Sequence, residues 1–181
     1  MQRFKREASA LLVIDVQERL AAAMNPDSLQ RALNRTVAAI LGAKALGMPI
    51  LVTEQYPRGL GPTMKAVQEA IGEGFQPIEK IEFSAWQPGI QAQLSARPNV
   101  LVVGMETHVC VFQTVRDLAS AGLTPWLAAD AVLSRQAIDH QTGLALSARA
   151  GAILTTVETA LFDALVKASG PEFKAVSAAV K

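Results

Sequence analysis

Aliphatic runs of strand length recur through this chain without the polar alternation of a half-exposed strand, and no other feature narrows its fold as much. Residues 10–14 (ALLVI), 49–52 (PILV) and 100–103 (VLVV) offer no polar face to water. A strand that is apolar on both sides needs cover on both sides, as in a parallel sheet held between two layers of helices. The intervening segments supply those helices. Leu29, Leu33, Val37, Ile40, Leu41 and Leu46 recur at helical intervals between a cap at Asp27 or Ser28 and a stop at Gly47. Segments 107–121, closed by Gly122, and 136–150 read the same way. Shorter strands are expected at 77–80, 124–128 and 152–155, and shorter helices at 64–71 and 89–96. Residues 53–63 (TEQYPRGLGPT), with two prolines and two glycines, read as a loop. From about 157 onward the chain is expected to be helical, with a break at Gly170 and Pro171. The alternation predicts one doubly wound α/β domain over residues 1–181.

Composition removes several functional classes. With 181 residues, 50% of them hydrophobic and 18% charged, the chain has enough apolar material for a sizeable core. Seventeen Lys and Arg stand against sixteen Asp and Glu, a net charge of +1, which gives no reason to expect nucleic acid or an anionic membrane as a partner. Arg3, Lys5 and Arg6 are expected to form a solvated N-terminal arm. No apolar run approaches the roughly 18–20 residues that span a bilayer. The single cysteine excludes an internal disulfide and a four-cysteine metal site. The residues up to Glu7 lack the plan of a secretory leader, so a reducing, cytoplasmic setting is expected.

Chemistry-bearing residues fall at the ends of the expected strands, where ligands gather in open parallel sheets. Asp15 closes ALLVID, Lys80 closes PIEK, and Cys110 follows VLVVG at the start of a helical segment. Singly, each has an ordinary explanation: a turn cap, a solvated charge and a small buried hydrophobe. Together they form a set. A helix N-terminus and an ammonium both favour the thiolate of a cysteine whose free pKa is ~8.5. A neighbouring carboxylate can take the thiol proton and later deliver it to a leaving amine. Backbone N–H groups at the turn GMETHVC can receive an oxyanion. Leu20, Gln55, Tyr56, Trp86 and Thr107 are expected to line a small-molecule pocket, with plain core packing the equal alternative for the aromatics Tyr56, Trp86 and Phe112. His108, two positions before Cys110, does not share its helix face and reads as a rim or packing residue. His108 and His140 lack metal-ligand spacing, and the loop glycines do not match a phosphate-binding loop, so neither a metal nor another cofactor is expected.

These segments resemble a known family. LLVIDVQERL with Asp15, KIEFSAW with Lys80 and VVGMETHVC with Cys110 are similar, in order and over nearly the whole chain, to the isochorismatase-like cysteine hydrolase superfamily. TEQYPRGLGPT is particularly similar to its isochorismatase-domain-containing subgroup. The resemblance implies a three-layer α/β/α fold with a parallel sheet of about six strands. It implies Cys110 as nucleophile, Asp15 as proton acceptor and donor, and Lys80 as their electrostatic partner. It also implies a cis peptide at Met105–Glu106 that directs the Glu106 and Cys110 N–H groups into an oxyanion hole. Nicotinamidases of the superfamily carry an aspartate and histidines as a metal site after the second strand, which this chain lacks. True isochorismatases lack the cysteine and cleave a vinyl ether. The reaction left is metal-independent hydrolysis of a small amide or ureido C–N bond. The alternative is a scaffold that keeps the fold with little turnover. Relatives are commonly dimers or larger, so a homo-oligomer is expected, with the C-terminal segment as a contact element.

Overall fold

The structure, a computed structural model, describes residues 3–181. Its sheet contains β1 (Ser9–Ile14), β2 (Ile50–Gln55), β3 (Ile78–Lys80), β4 (Asn99–Met105), β5 (Thr124–Leu133) and β6 (Ile153–Thr155). All pairings are parallel and the spatial order is β3-β2-β1-β4-β5-β6. The helices are α1 (Glu18–Ala21), α2 (Pro26–Ala45), α3 (Pro57–Leu60), α4 (Lys65–Ile71), α5 (Pro88–Leu94), α6 (Phe112–Ser120), α7 (Ala137–Arg149), α8 (Val157–Leu165) and α9 (Pro171–Ala179). This is the doubly wound α/β/α plan, and its strand order reverses between β1 and β4. The crevice opened by that reversal lies beyond Ile14 on one side and Met105 on the other.

Period-two geometry divides the central strands between two cores. Leu11, Val13, Leu101 and Val103 pack with Ala38, Ala39, Ile40 and Ala43 of α2 and Leu161 of α8. Ala10, Leu12, Ile14, Val100 and Val102 face the other way, onto Ile90 and Leu94 of α5 and Val111, Val115 and Leu118 at α6. Every residue of β1 and β4 is buried, as strands without a polar face require.

Several expectations shift by a few residues. The cap of α2 is Asn25, not Asp27 or Ser28; its side chain accepts from the Ser28 N–H, and Pro26 occupies the first helical position. Strand β2 continues through Thr53, Glu54 and Gln55, which the sequence reading assigned to the following loop. Strand β5 runs five residues past Ala128, and its register against β4 jumps from Val102↔Leu127 to Gly104↔Val132. This irregularity lets β5 bulge and still deliver Leu133 alongside Met105. The basic side chains of the N-terminal arm are largely exposed, as expected, but Phe4 between them docks the arm. Phe4 is fully buried edge-on to Trp126, and Asp163 accepts from the Phe4 N–H and pairs with Arg3. The C-terminal helices also dock on the chain itself: Leu161 and Val176 are buried in the core that contains α2, while Phe162 and Val166 remain exposed. No helix among the described residues is long and apolar enough to cross a membrane.

Candidate active site

Asp15 lies one residue beyond β1 with φ 51°, a left-handed conformation that aspartate tolerates better than most residues. Its side chain is fully buried, and so is that of Lys80. Lys80 ends β3, two strands away, in register with Gln55 of the intervening β2. Strands are spaced ~4.8 Å apart, so the long lysine side chain must cross the end of β2 to reach Asp15. It does: Lys80 Nζ donates to Asp15 Oδ2 at 2.6 Å and to Gln55 Oε1 at 2.8 Å. The Phe83 carbonyl at 2.9 Å and the Glu82 carbonyl at 3.3 Å complete the cage. All four of these oxygens are acceptors, matching the donor character of the lysine side chain. On its other oxygen, Asp15 accepts from Thr53 Oγ1 at 2.7 Å.

Cys110 is presented from across the switch point. Gly104, at φ 124°, lies against β1 so closely that a Cβ there would collide with the Ile14 carbonyl oxygen. The Met105–Glu106 peptide is cis. Residues Thr107–Val111 then form a π-helical turn before α6, where a continuous helix was expected. Thr114 Oγ1 donates to the Cys110 carbonyl at 2.6 Å and accepts from the Ala85 N–H at 2.8 Å, tying the turn to the segment after Lys80. Cys110 is 6% exposed and interacts with both Asp15 and Lys80.

Burial sets the electrostatics of the thiol against the features that favour a thiolate. Burial and the negative charge of Asp15 push the Cys110 thiol up to about 12, outweighing the opposite pull of Lys80. These influences favour the neutral thiol. Burial also pushes the Asp15 carboxyl above its ordinary range, against the pull of Lys80 and of its hydrogen bonds. A buried carboxylate beside a neutral thiol is an arrangement for proton transfer at the moment of attack.

The residues around this centre sort differently from their expected roles. Trp86 is half-buried and packs against the core that includes Cys110. Tyr56 is 52% exposed. Leu20 packs against the opposite core, on the α2 side of the sheet. Gln55 and Thr107, expected in the pocket lining, are buried and bonded to protein. Gln55 receives Lys80 and donates to the Ile81 carbonyl, and Thr107 Oγ1 lies 3.0 Å from His140 Nδ1. The sequence reading missed Thr53, Thr114 and Arg135. It also missed Gln17, whose side chain bridges the Gln55 backbone and the Gly61 carbonyl. The DVQ spacing placed Gln17 near Asp15 and was the one available signal for it. Among the described residues, no three His, Cys, Asp or Glu side chains gather as a metal site.

With this geometry established, likeness to other proteins is informative. The isochorismatase domain model matches residues 9–159. Bovine isochorismatase domain-containing protein 2 is 35% identical over 177 residues, 96% of this chain and 83% of that protein. The secreted isochorismatase effector Isc1 of Phytophthora sojae is 33% identical over 180 residues, 96% of this chain and 85% of that protein. A solved structure titled MAR1 ribonuclease, from Caenorhabditis elegans, superposes with a TM-score of 0.94 at 35% identity, covering 99% of this chain and 92% of that one. The chain belongs to the isochorismatase domain family, within its domain-containing subgroup.

Proposed function

We propose that this chain is a cysteine hydrolase that cleaves a small amide or ureido C–N bond through an acyl-enzyme on Cys110. The observation that carries the reading is the buried chain Lys80–Asp15–Cys110, in which the carboxylate is held on one side by an ammonium at 2.6 Å and interacts with the thiol on the other. As Cys110 Sγ attacks the substrate carbonyl carbon, its proton passes to Asp15. The carbonyl π pair moves onto oxygen, which the Glu106 and Cys110 backbone N–H groups receive. Collapse breaks the C–N bond, and the amine leaves with the proton from Asp15. Water then attacks the thioester with Asp15 again as base, restoring thiol and carboxylate. Lys80 keeps its proton throughout and holds the carboxylate in place.

The substrate in this reading is a small molecule, in keeping with a thiol that is only 6% exposed. No cofactor enters this scheme. The similarity to the nematode MAR1 ribonuclease raises RNA as another substrate, but the net charge of +1 offers little electrostatic attraction for a polyanion. Cytoplasmic placement and self-association, with α8 and α9 as contact elements, belong to the same proposal.

The test is a panel of small amides and ureides, with product amine measured and the protein weighed intact. The wild type should release amine and show an acyl adduct on Cys110, and Cys110→Ala should lose turnover by at least ~10³-fold. Full activity in Cys110→Ala would sink the reading. Indifference to Asp15→Asn and Lys80→Ala in all but stability would favour a scaffold.

A further inference from the structure

Behind the nucleophile turn, away from Asp15 and Lys80, lies a second polar cluster for which the proposed chemistry has no use. It joins three successive residues of the turn to one segment, 134–140, which follows β5. The Glu106 carboxylate accepts from the Arg135 backbone N–H at 3.1 Å, and Arg135 Nε lies 3.1 Å from each of its oxygens. Thr107 Oγ1 meets His140 Nδ1 at 3.0 Å. His108 Nδ1 meets Ser134 Oγ at 3.0 Å, and its Nε2 lies 3.8 Å from Asp139 Oδ2. Helix α7 also seats directly on the turn. A Cβ at Gly143 would stand 2.7 Å from the Thr107 carbonyl carbon and 2.8 Å from the His108 nitrogen. The β5 bulge brings the segment there, because it lets Leu133 pair beside Met105 immediately before Ser134 and Glu106.

We propose that segment 134–140 is a clamp that sets the backbone of the nucleophile turn, with Arg135 and His140 as its positioning residues. The inference rests on the acyl-enzyme reading. Glu106 is the residue whose N–H that reading assigns to the oxyanion, and Arg135 grips the side chain of the same residue. Holding the carboxylate therefore restrains the orientation of the N–H. Thr107, the next residue, is held through its hydroxyl by His140, whose imidazole burial keeps below its usual pKa and so neutral at pH 7. Oxyanion donors are effective only when aimed in advance, and a displacement of ~1 Å can cost ~10²-fold. Neither Arg135 nor His140 belongs to the Lys80–Asp15–Cys110 chain. Both line a groove of about 1360 Å³ between α2 and β5, and the Arg135 side chain is 56% exposed, so substitutions there do not open a hole in the core.

Two probes of the single thiol separate positioning from folding. Propionaldehyde adds to Cys110 as a thiohemiacetal: the S–C bond forms, the carbonyl π pair moves to oxygen, and the thiol proton passes through Asp15 to that oxygen. This adduct uses the oxyanion donors. Iodoacetamide alkylates by displacement of iodide and creates no oxyanion. Aldehyde affinity is read as protection against iodoacetamide, by intact mass. In Arg135→Met and His140→Leu we expect aldehyde affinity to weaken on the order of tenfold, while the alkylation rate stays within about twofold. His140→Asn, which can replace Nδ1 with an amide atom, should restore most of the loss. Unchanged aldehyde affinity in both variants overturns the clamp alone. Equal loss with both probes, not restored by His140→Asn, also overturns it, as that is the mark of a merely structural contact. A wild-type thiol that alkylates but never binds aldehyde defeats the acyl-enzyme reading, and the clamp with it.

Discussion

Two carboxylate–cation pairs flank the Cys110 turn, and they are built on opposite terms. Asp15 and Lys80 are both fully buried and 2.6 Å apart, and each is hydrogen-bonded to further buried partners, Thr53 and Gln55 respectively. Glu106 and Arg135 lie 3.1 Å apart, with the Glu106 side chain 7% exposed and that of Arg135 56% exposed. A buried pair carries a large desolvation cost on each ion, so removing one partner strands the other in a medium that does not solvate it. In a half-exposed pair water already screens the cation, and the bond contributes position more than energy. The first arrangement suits charges that take part in chemistry without leaving the protein. The second suits a tether.

That contrast can be broken by stability measurements. Lys80→Met leaves the Asp15 carboxylate without its cation and should cost about 3–5 kcal/mol in urea unfolding. A loss below 1 kcal/mol would mean that the pair is not buried in solution as described. A second effect concerns alkaline pH. The folded Cys110 thiol holds its proton to about 12, against 9.0 for an unperturbed one, so between these values the folded state binds more protons than the unfolded chain. Stability from this group is full below pH 9.0 and falls as pH rises through about 12. Cys110→Ala should flatten that part of the alkaline decline, and an unchanged slope would contradict it. The smallest effect belongs to the tether: Arg135→Met should change stability by no more than about 1 kcal/mol. A cost like that of Lys80→Met would erase the distinction between the two pairs.

The same contrast explains what could be read from the sequence. Asp15, Lys80 and Cys110 were visible because an aliphatic run that ends in a polar residue marks a strand end, and a parallel sheet gathers such ends on one rim. The partners that saturate them were harder to see. Thr53 and Gln55 looked like the start of a polar loop, yet β2 carries them inward because the buried charges need acceptors and donors there. The strand expected at 124–128 stopped short of the bulge and of the five residues beyond Ala128. Arg135 and His140 are linked to the turn across 29 and 33 residues, by contacts that leave no periodicity in the chain. The cap was sought at Asp27 or Ser28, whereas Asn25 caps the helix with Pro26 at its first position, where a proline is well tolerated. The ammonium and the helix end that favour a thiolate were visible in the sequence, whereas the depth of burial that opposes it was not.

The central claim is that Asp15 holds Cys110 as a thiol and takes its proton only on attack. The direct test is the pH profile of Cys110 alkylation by iodoacetamide in the wild type and in Asp15→Asn. The wild type should react slowly at neutral pH, with its rate rising toward about 12. Asp15→Asn removes the negative charge and leaves Lys80 facing the sulfur, so its profile should move down by about 1–3 pH units while hydrolysis is lost. A wild-type thiol that reacts rapidly at pH 7, with a profile unmoved by Asp15→Asn, would contradict the account.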